Sequence, residues 1–311
     1  MRVAAFLHAY PPDRLAGADL MSADLLDALA ARGHEVTVFS TQGCHPRWEG
    51  RVRVENRHLY RKVDRWDVIY SHPDVGDAPA HHARRIGVPY VAVVHNVSPN
   101  TGRYLRNNPP TLTVWNAHAT RAAHGGEGGL VVRSPLRVAQ HAWADRSHAT
   151  ATTLVNLSAD KGAEVFYALA ARGGSFLGVE GAHGVQIKRP DVVEVLPQIP
   201  HALMPDLVWA RTRVLLMPSK AESWGRVGLE AMCSGIPVVA HPTLGLLEAL
   251  GGAGLFVDRG DLAGWEAALA ELADPIGYGM WASAAVQRAW QVQEESLADR
   301  DRFVRSVEEL A

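Results

Sequence analysis

Short, fully apolar runs alternate with helical repeats along the whole chain. The run Arg2–His8 is followed by a loop with Pro11, Pro12 and Gly17. Ala18–Arg32 then places Met21, Leu25 and Leu29 at helical spacing, with Gly33 as its C-terminal cap. Glu35–Ser40 and Val52–Glu55 predict the next strands, followed by Asp67–Tyr70, Tyr90–Val94 and Leu112–Trp115, with a helix over His81–Ile86. Gly125–Gly129 is a flexible loop and not a dinucleotide fingerprint, since no strand feeds it. After Val131–Val132 and Ser134-Pro135, residues 137–150 read as a hinge.

The same alternation then starts again. Thr152–Leu157, helix Ala163–Arg172, Phe176–Val179, Val192–Leu196 and Val214–Met217 form its first part. Helix Arg226–Cys233, Pro237–Ala240, helix Leu246–Leu250 and Leu255–Val257 complete it, and Gly279–Ala311 is a long amphipathic helix. Runs apolar throughout fit strands buried on both faces, so the pattern predicts an α/β chain of two Rossmann-like domains with parallel sheets.

Composition adds limits. At 311 residues, with 47% apolar and 21% charged, the chain is long enough for two globular domains. Val3–Leu7 follows a single Arg and runs into Pro11-Pro12, so it reads as a strand and not as a secretory signal. Val88–Val94 is far shorter than the roughly 20 residues of a membrane span. Cys44 and Cys233 stand alone without a CxxC, which predicts neither disulfide framework nor zinc motif and makes a reducing cytoplasm the expected compartment. Residues 1–150 hold 18 of the 31 Lys and Arg, 13 of the 33 Asp and Glu and 12 of the 15 His, so a basic first half meets an acidic second half.

Open parallel sheets bind ligands at the carboxyl ends of their strands. After Val214–Met217 comes Pro218-Ser219-Lys220-Ala221-Glu222-Ser223-Trp224-Gly225, then a helix carrying Glu230. Gly225 and Arg226 stand at a helix start, where free N–H groups favour phosphate. Glu222 and Glu230 beside it could accept hydrogen bonds from the hydroxyls of a sugar and of a ribose. Glu230 lies among Gly228, Leu229, Ala231 and Met232, so it requires a partner. Asp299-Arg300-Asp301 imitates a metal-binding acidic motif, but its place in the tail helix predicts a solvated face. The adjacent His81 and His82 would face different ways on a helix, which argues against a metal pair.

Glu222-x7-Glu230, with Ala231-Met232-x-Ser234-Gly235-Ile236-Pro237-Val238-Val239 and Gly245-Leu246-Leu247-Glu248, resembles the signature of the retaining GT-B glycosyltransferases of family four. Asn156-Leu157-x2-Asp160-Lys161-Gly162, Gly17-Ala18-Asp19, Tyr70-Ser71-His72 and Val94-His95-Asn96 resemble further motifs of that family, so the likeness covers most of the chain. It implies two domains facing a central cleft: residues 1–140 with about 295–311 for the acceptor, and residues 150–294 for the nucleotide-sugar donor. The C-terminal helix would cross back to the first domain.

By this resemblance Glu222 binds hydroxyls of the transferred sugar, Glu230 the ribose, and Lys161 the diphosphate. Gly17 lets backbone approach the phosphates, and Ser223, Trp224, Gly225, Arg226 and Val227 offer backbone N–H groups to the donor. His95 serves the sugar or the acceptor hydroxyl, and His72 and Asn96 lie on the acceptor side. The chain departs from the family at Asn156, where an Arg is usual, leaving Lys161, Arg226 or Lys220 to supply charge.

The implied chemistry needs no metal or other cofactor: the diphosphate leaves, the sugar is transferred with retention, and domain closure excludes water. Arg47, Arg51, Arg53, Arg57, Arg61, Lys62 and Arg65, interleaved with Trp48, Tyr60 and Trp66, point to an anionic acceptor. A hydroxylated base in DNA and a phosphorylated or lipid-linked molecule both qualify. The alternatives are a nucleotide-sugar epimerase of the same fold and a nucleotide-sugar-binding protein whose chemistry has lapsed.

Overall fold

The computed structural model describes residues 1–57, 65–142, 145–182 and 184–310. The chain divides into two compact units, Met1–Pro135 with Glu295–Ala311, and Leu136–Glu294. Tyr60, Arg61 and Lys62 of the basic stretch lie outside the described residues, as do Trp143 and Ala144 of the expected hinge.

The first unit is built on eight strands: β1 (Arg2–Leu7), β2 (Glu35–Ser40), β3 (Arg47–Glu49), β4 (Val52–Asn56), β5 (Val68–Ser71), β6 (Tyr90–Val94), β7 (Leu112–Trp115) and β8 (Leu130–Val131). Their order is β3-β4-β2-β1-β5-β6-β7-β8, and every pairing is parallel except β3 with β4. Helices α1 (Gly17–Ala31), α2 (Ala78–Ile86), α3 (Pro99–Asn107) and α4 (His118–Ala123) connect them. Alternation within each strand divides the apolar side chains between two cores. Val3, Ala5 and Leu7 of β1 pack with Met21, Leu25 and Leu29 of α1, whereas Ala4 and Phe6 pack with Ala80 and Ala83 of α2.

The second unit opens with α5 (Val138–His141). Its strands are β9 (Ala151–Val155), β10 (Phe176–Val179), β11 (Glu194–Leu196), β12 (Thr212–Met217), β13 (Val238–Ala240) and β14 (Gly254–Phe256), all parallel, in the order β11-β10-β9-β12-β13-β14. Helices α6 (Ala163–Ala170), α7 (Arg226–Met232), α8 (Leu244–Leu250) and α9 (Leu262–Glu271) complete it, and α10 runs over Pro275–Glu308. Phe166, Leu169, Trp265 and Leu272 close one face over Leu154, Val214, Leu216 and Val239. Two parallel sheets of this kind make the expected α/β architecture. No helix of the described residues is long and apolar enough to cross a membrane.

Several elements depart from the pattern reading. β3, α3, α4 and α9 were not predicted. The edge strand β3 has only three residues and one antiparallel neighbour, and α3 is a polar surface helix of sequence PNTGRYLRN. A larger correction concerns Asp299, which is not on a solvated face. It is 2% exposed; Arg133 donates to it through backbone N (3.1 Å) and Nη1 (2.7 Å), and Arg302 through Nη2 (2.6 Å). A buried carboxylate needs such partners, and these lock the end of α10 into the first unit.

Phe303, Val304 and Val307 of α10 are buried in that same core, with Phe303 edge-on to Tyr70 at 6.4 Å. Phe303→Ala is expected to destabilise the first unit by about 3–5 kcal/mol in urea unfolding; a loss under about 1 kcal/mol would contradict this packing.

Candidate functional site

In the second unit the winding reverses between β9 and β12, which are neighbours in space while their outgoing connections lead to opposite sides of the sheet. Adjacent loops that diverge in this way leave a crevice at the strand ends. After β9 the chain makes a 3-10 turn, Ala159–Lys161, and then Gly162. Gly162 has φ +90, and a Cβ there would lie 2.4 Å from Pro218 Cγ and 2.6 Å from Pro218 O. Only glycine permits this conformation and this approach. Lys220 N donates to Asp160 O at 2.8 Å, which fastens the two loops together.

The result is that Lys161 Nζ donates to Glu222 Oε1, which also accepts from Ser219 Oγ at 3.0 Å. Gly245, in the first turn of α8, lets that helix rest on the Glu222–Ser223 backbone; a Cβ would lie 2.2 Å from Glu222 O. Arg259, following β14, escaped sequence reasoning altogether. Its guanidinium donates to Ala159 O (2.5 Å), Asp160 O (3.2 Å) and Pro218 O (2.7 Å) and pairs with Glu164. It therefore ties the turn bearing Lys161 to the loop bearing Glu222. No motif marks an arginine that acts on backbone carbonyls.

Asn156 does not stand in for a cation. It has φ 72, alone in positive φ among the described residues other than glycine, and asparagine tolerates that region better than most. Its Oδ1 accepts from Ser158 N (3.2 Å) and Gln186 Nε2 (2.9 Å). The amide shapes the turn that leads to Lys161.

Glu230 on α7 is 5% exposed. Its Oε1 accepts from Arg226 Nε at 2.6 Å and from His201 Nε2 at 2.8 Å. Burial alone would raise its pKa; the His201 hydrogen bond and charge, with Arg226 and His141, outweigh that and hold it down to about 2. Both of these bonds fall on Oε1. Trp224 is 3% exposed, so its indole belongs to the interior and only its backbone could serve a donor. Gly225 is left-handed and precedes α7, whereas Ser223 and Val227 are part-exposed.

In the first unit the winding reverses at β1 and β5. His72 directly follows β5 and His95 directly follows β6, and their Nε2 atoms meet at 3.0 Å. Ser22 of α1 hydrogen-bonds His72 Nε2 (2.7 Å) and Tyr70 OH (2.8 Å). Burial, with His8 and Arg14 nearby, pushes His72 down to about 3, and burial beside His72 pushes His95 well below its ordinary value. Both imidazoles are neutral at pH 7; His72 is buried with its Nε2 against Ser22 and His95, whereas His95 is part-exposed. Asn96 is occupied otherwise: its Oδ1 accepts from Ser98 N (3.0 Å) and Thr101 Oγ1 (2.7 Å) at the start of α3. Gly17 begins α1 with nothing within 4 Å of where a Cβ would lie.

The depressed pKa of Glu230 has a pH consequence. Folded Glu230 titrates near 2 against an ordinary 4.5, so its ionised form stabilises the fold above pH 4.5, and the contribution fades as pH falls from 4.5 towards 2. The stability difference between wild type and Glu230→Gln should therefore be largest above pH 4.5 and shrink below it in urea unfolding. A difference constant over that range would refute the assignment.

The sequence profile described as glycosyl transferases group 1 matches residues 180–274, which include His201, Glu222, Arg226 and Glu230. D-inositol 3-phosphate glycosyltransferase of Pseudarthrobacter chlorophenolicus is 42% identical over 85 residues, 26% of this chain and 20% of that protein. The Thermobispora bispora enzyme of the same name is 37% identical over 117 residues, 35% of this chain and 27% of that protein. The chain thus matches only about a fifth to a quarter of the length of these curated relatives. Sucrose-phosphate synthase from Thermosynechococcus elongatus superimposes with TM-score 0.80 at 15% identity over 99% of this chain and 98% of that one. Anabaena HepE, solved with UDP and glucose, gives 0.79 at 18% identity over the full length of both chains. The chain has the GT-B fold, and residues 180–274 of its second unit are similar to the group 1 glycosyl transferases.

Proposed function

We propose that the protein is a glycosyltransferase that moves a sugar from a nucleotide-sugar donor to an acceptor hydroxyl, with retention at the anomeric carbon. The observation that carries this reading is the meeting of Lys161 and Glu222 at the reversal between β9 and β12. A cation for a diphosphate and a carboxylate for sugar hydroxyls stand there side by side, on loops that hold each other in place. HepE, of the same fold, has been solved with UDP-glucose.

In this reading Lys161 stabilises the charge that builds on the departing diphosphate, and Glu222 orients the sugar through its hydroxyls. The ion pair between them opens as the donor enters and gives each group its ligand. Glu230 accepts from the ribose through Oε2 while Arg226 and His201 hold Oε1. Asn156 supports the turn and leaves the electrostatic work to Lys161. The leaving diphosphate oxygen takes the proton of the incoming hydroxyl, so no protein nucleophile and no metal are required. His95 and His72 are assigned to the acceptor.

The acceptor is an anionic small molecule, of the phosphorylated polyol class. The curated relatives are named for D-inositol 3-phosphate, and the first half of the chain is basic. DNA receives less support, because Arg47 pairs with Asp13 and Glu49, and Arg53 pairs with Glu55. Relatives named as transferases favour group transfer over the epimerase alternative.

Glu222→Ala should reduce kcat/KM by about 10²–10³, or roughly 2.7–4 kcal/mol, when nucleoside diphosphate release from UDP-glucose is followed with a phosphorylated polyol. Unchanged turnover would remove Glu222 from the site, and release stimulated only by hydroxymethylated duplex DNA would overturn the acceptor class.

A further inference from the structure

His141 has no part in the donor reading, yet it is 1% exposed and lies beside Glu230. It comes from the last residue of α5, His201 from the 3-10 turn His201–Leu203, and Glu230 from the middle of α7. Three separate elements thus bring two imidazoles and a carboxylate to one point. One ligand atom from each of the three lies within 4.8 Å of the others, and the two imidazole rings stand 4.8 Å apart at 71°. The frame around them is fixed. Ser234 Oγ, just past α7, donates to His141 O at 2.7 Å, and Arg146 Nη1 donates to Ser234 O and Gly235 O at 2.9 Å each.

We propose that His141, His201 and Glu230 form a binding site for a first-row divalent transition metal ion, Zn²⁺ foremost, and that its occupation excludes the nucleotide from Glu230. Two nitrogens and one carboxylate oxygen are a donor set suited to zinc, and its bonds of about 2.0–2.2 Å place neighbouring ligand atoms about 3.4 Å apart. The three ligand atoms, within 4.8 Å of one another before an ion binds, adjust to that spacing around it. Mg²⁺, which prefers oxygen ligands, is poorly served by imidazoles.

Arg226 is compatible with the metal because a carboxylate has two oxygens. Arg226 can keep Oε1, in the manner of the outer hydrogen bonds that orient metal-bound carboxylates, while the metal takes Oε2. That is the oxygen left for the ribose in the donor reading. The metal is therefore an inhibitor at this site and not a cofactor of the transfer. The exclusion clause rests on the proposed function; metal binding itself does not.

The test is titration of the full-length protein with Co²⁺, whose visible absorption reports a low-symmetry nitrogen and oxygen site, followed by displacement with Zn²⁺. One equivalent should bind in wild type and in Cys44→Ser, which removes the part-exposed thiol. Affinity should fall at least about tenfold in His201→Asn, in His141→Asn and in Glu230→Gln. His201 is 23% exposed on a surface turn, so its variant keeps the fold even if the buried replacements do not. Absence of a one-to-one complex, or binding unaffected by His201→Asn, would overturn the site. In a second arm, UDP should weaken Co²⁺ binding in proportion to its concentration. Independent binding of UDP and Co²⁺ would overturn the exclusion while leaving the metal site standing.

Discussion

The approach of the β9 loop to the β12 loop, with Gly162 lying against Pro218, is the contact on which the geometry of the second unit's candidate site depends. Parallel neighbours whose connections diverge leave their C-terminal loops side by side, but not automatically in register. Here a glycine with φ +90 removes the side chain that would collide with Pro218. Lys220 N and the Arg259 guanidinium then fasten the two backbones through the carbonyls of residues 159, 160 and 218. Lys161 and Glu222 meet because their backbones are held, and not merely because their charges attract. A part-exposed pair of this kind adds little to stability, so its placement speaks for use.

The two carboxylates are provided for in different ways. Glu222 has one ammonium and one hydroxyl, both of which a ligand can replace. Glu230 is almost fully buried and held on one oxygen by Arg226 and His201, so it stays ionised and fixed in direction. The first suits a group that must exchange partners during a reaction. The second suits a group that recognises a part of the ligand that does not react. The neutral pair His72–His95 in the first unit is a third solution, with hydrogen-bonding capacity and no charge.

Much of this was legible in the sequence, for a physical reason. Strands buried on both faces are apolar throughout, so β1, β6 and β12 announce themselves, and the ends of β5, β6 and β12 direct attention to His72, His95 and Glu222. Elements whose stability comes from context did not show. α3 is polar over most of its length and begins where Asn96 and Ser98 satisfy its first N–H groups, and β3 exists only against β4. Asp299 looked solvated because a carboxylate in a charged helix usually is; Arg133, 166 residues earlier, buries it. Asn156 looked like a lost cation, and its meaning lay in a backbone angle. Arg259 and His201 act on partners 29 to 100 residues away, a distance that no local motif spans.

The central claim is that the second unit binds a nucleotide sugar between Lys161, Glu222 and Glu230. Thermal unfolding of wild type and Lys161→Ala in the presence of a panel of nucleotide sugars tests it most directly. A ligand at 100 times its Kd adds about 2.7 kcal/mol to the stability of the bound state. At least one nucleotide sugar should raise the Tm of wild type by several degrees, and Lys161→Ala should lose most of that gain. No stabilisation by any member of the panel, or an equal gain in both proteins, would contradict the account.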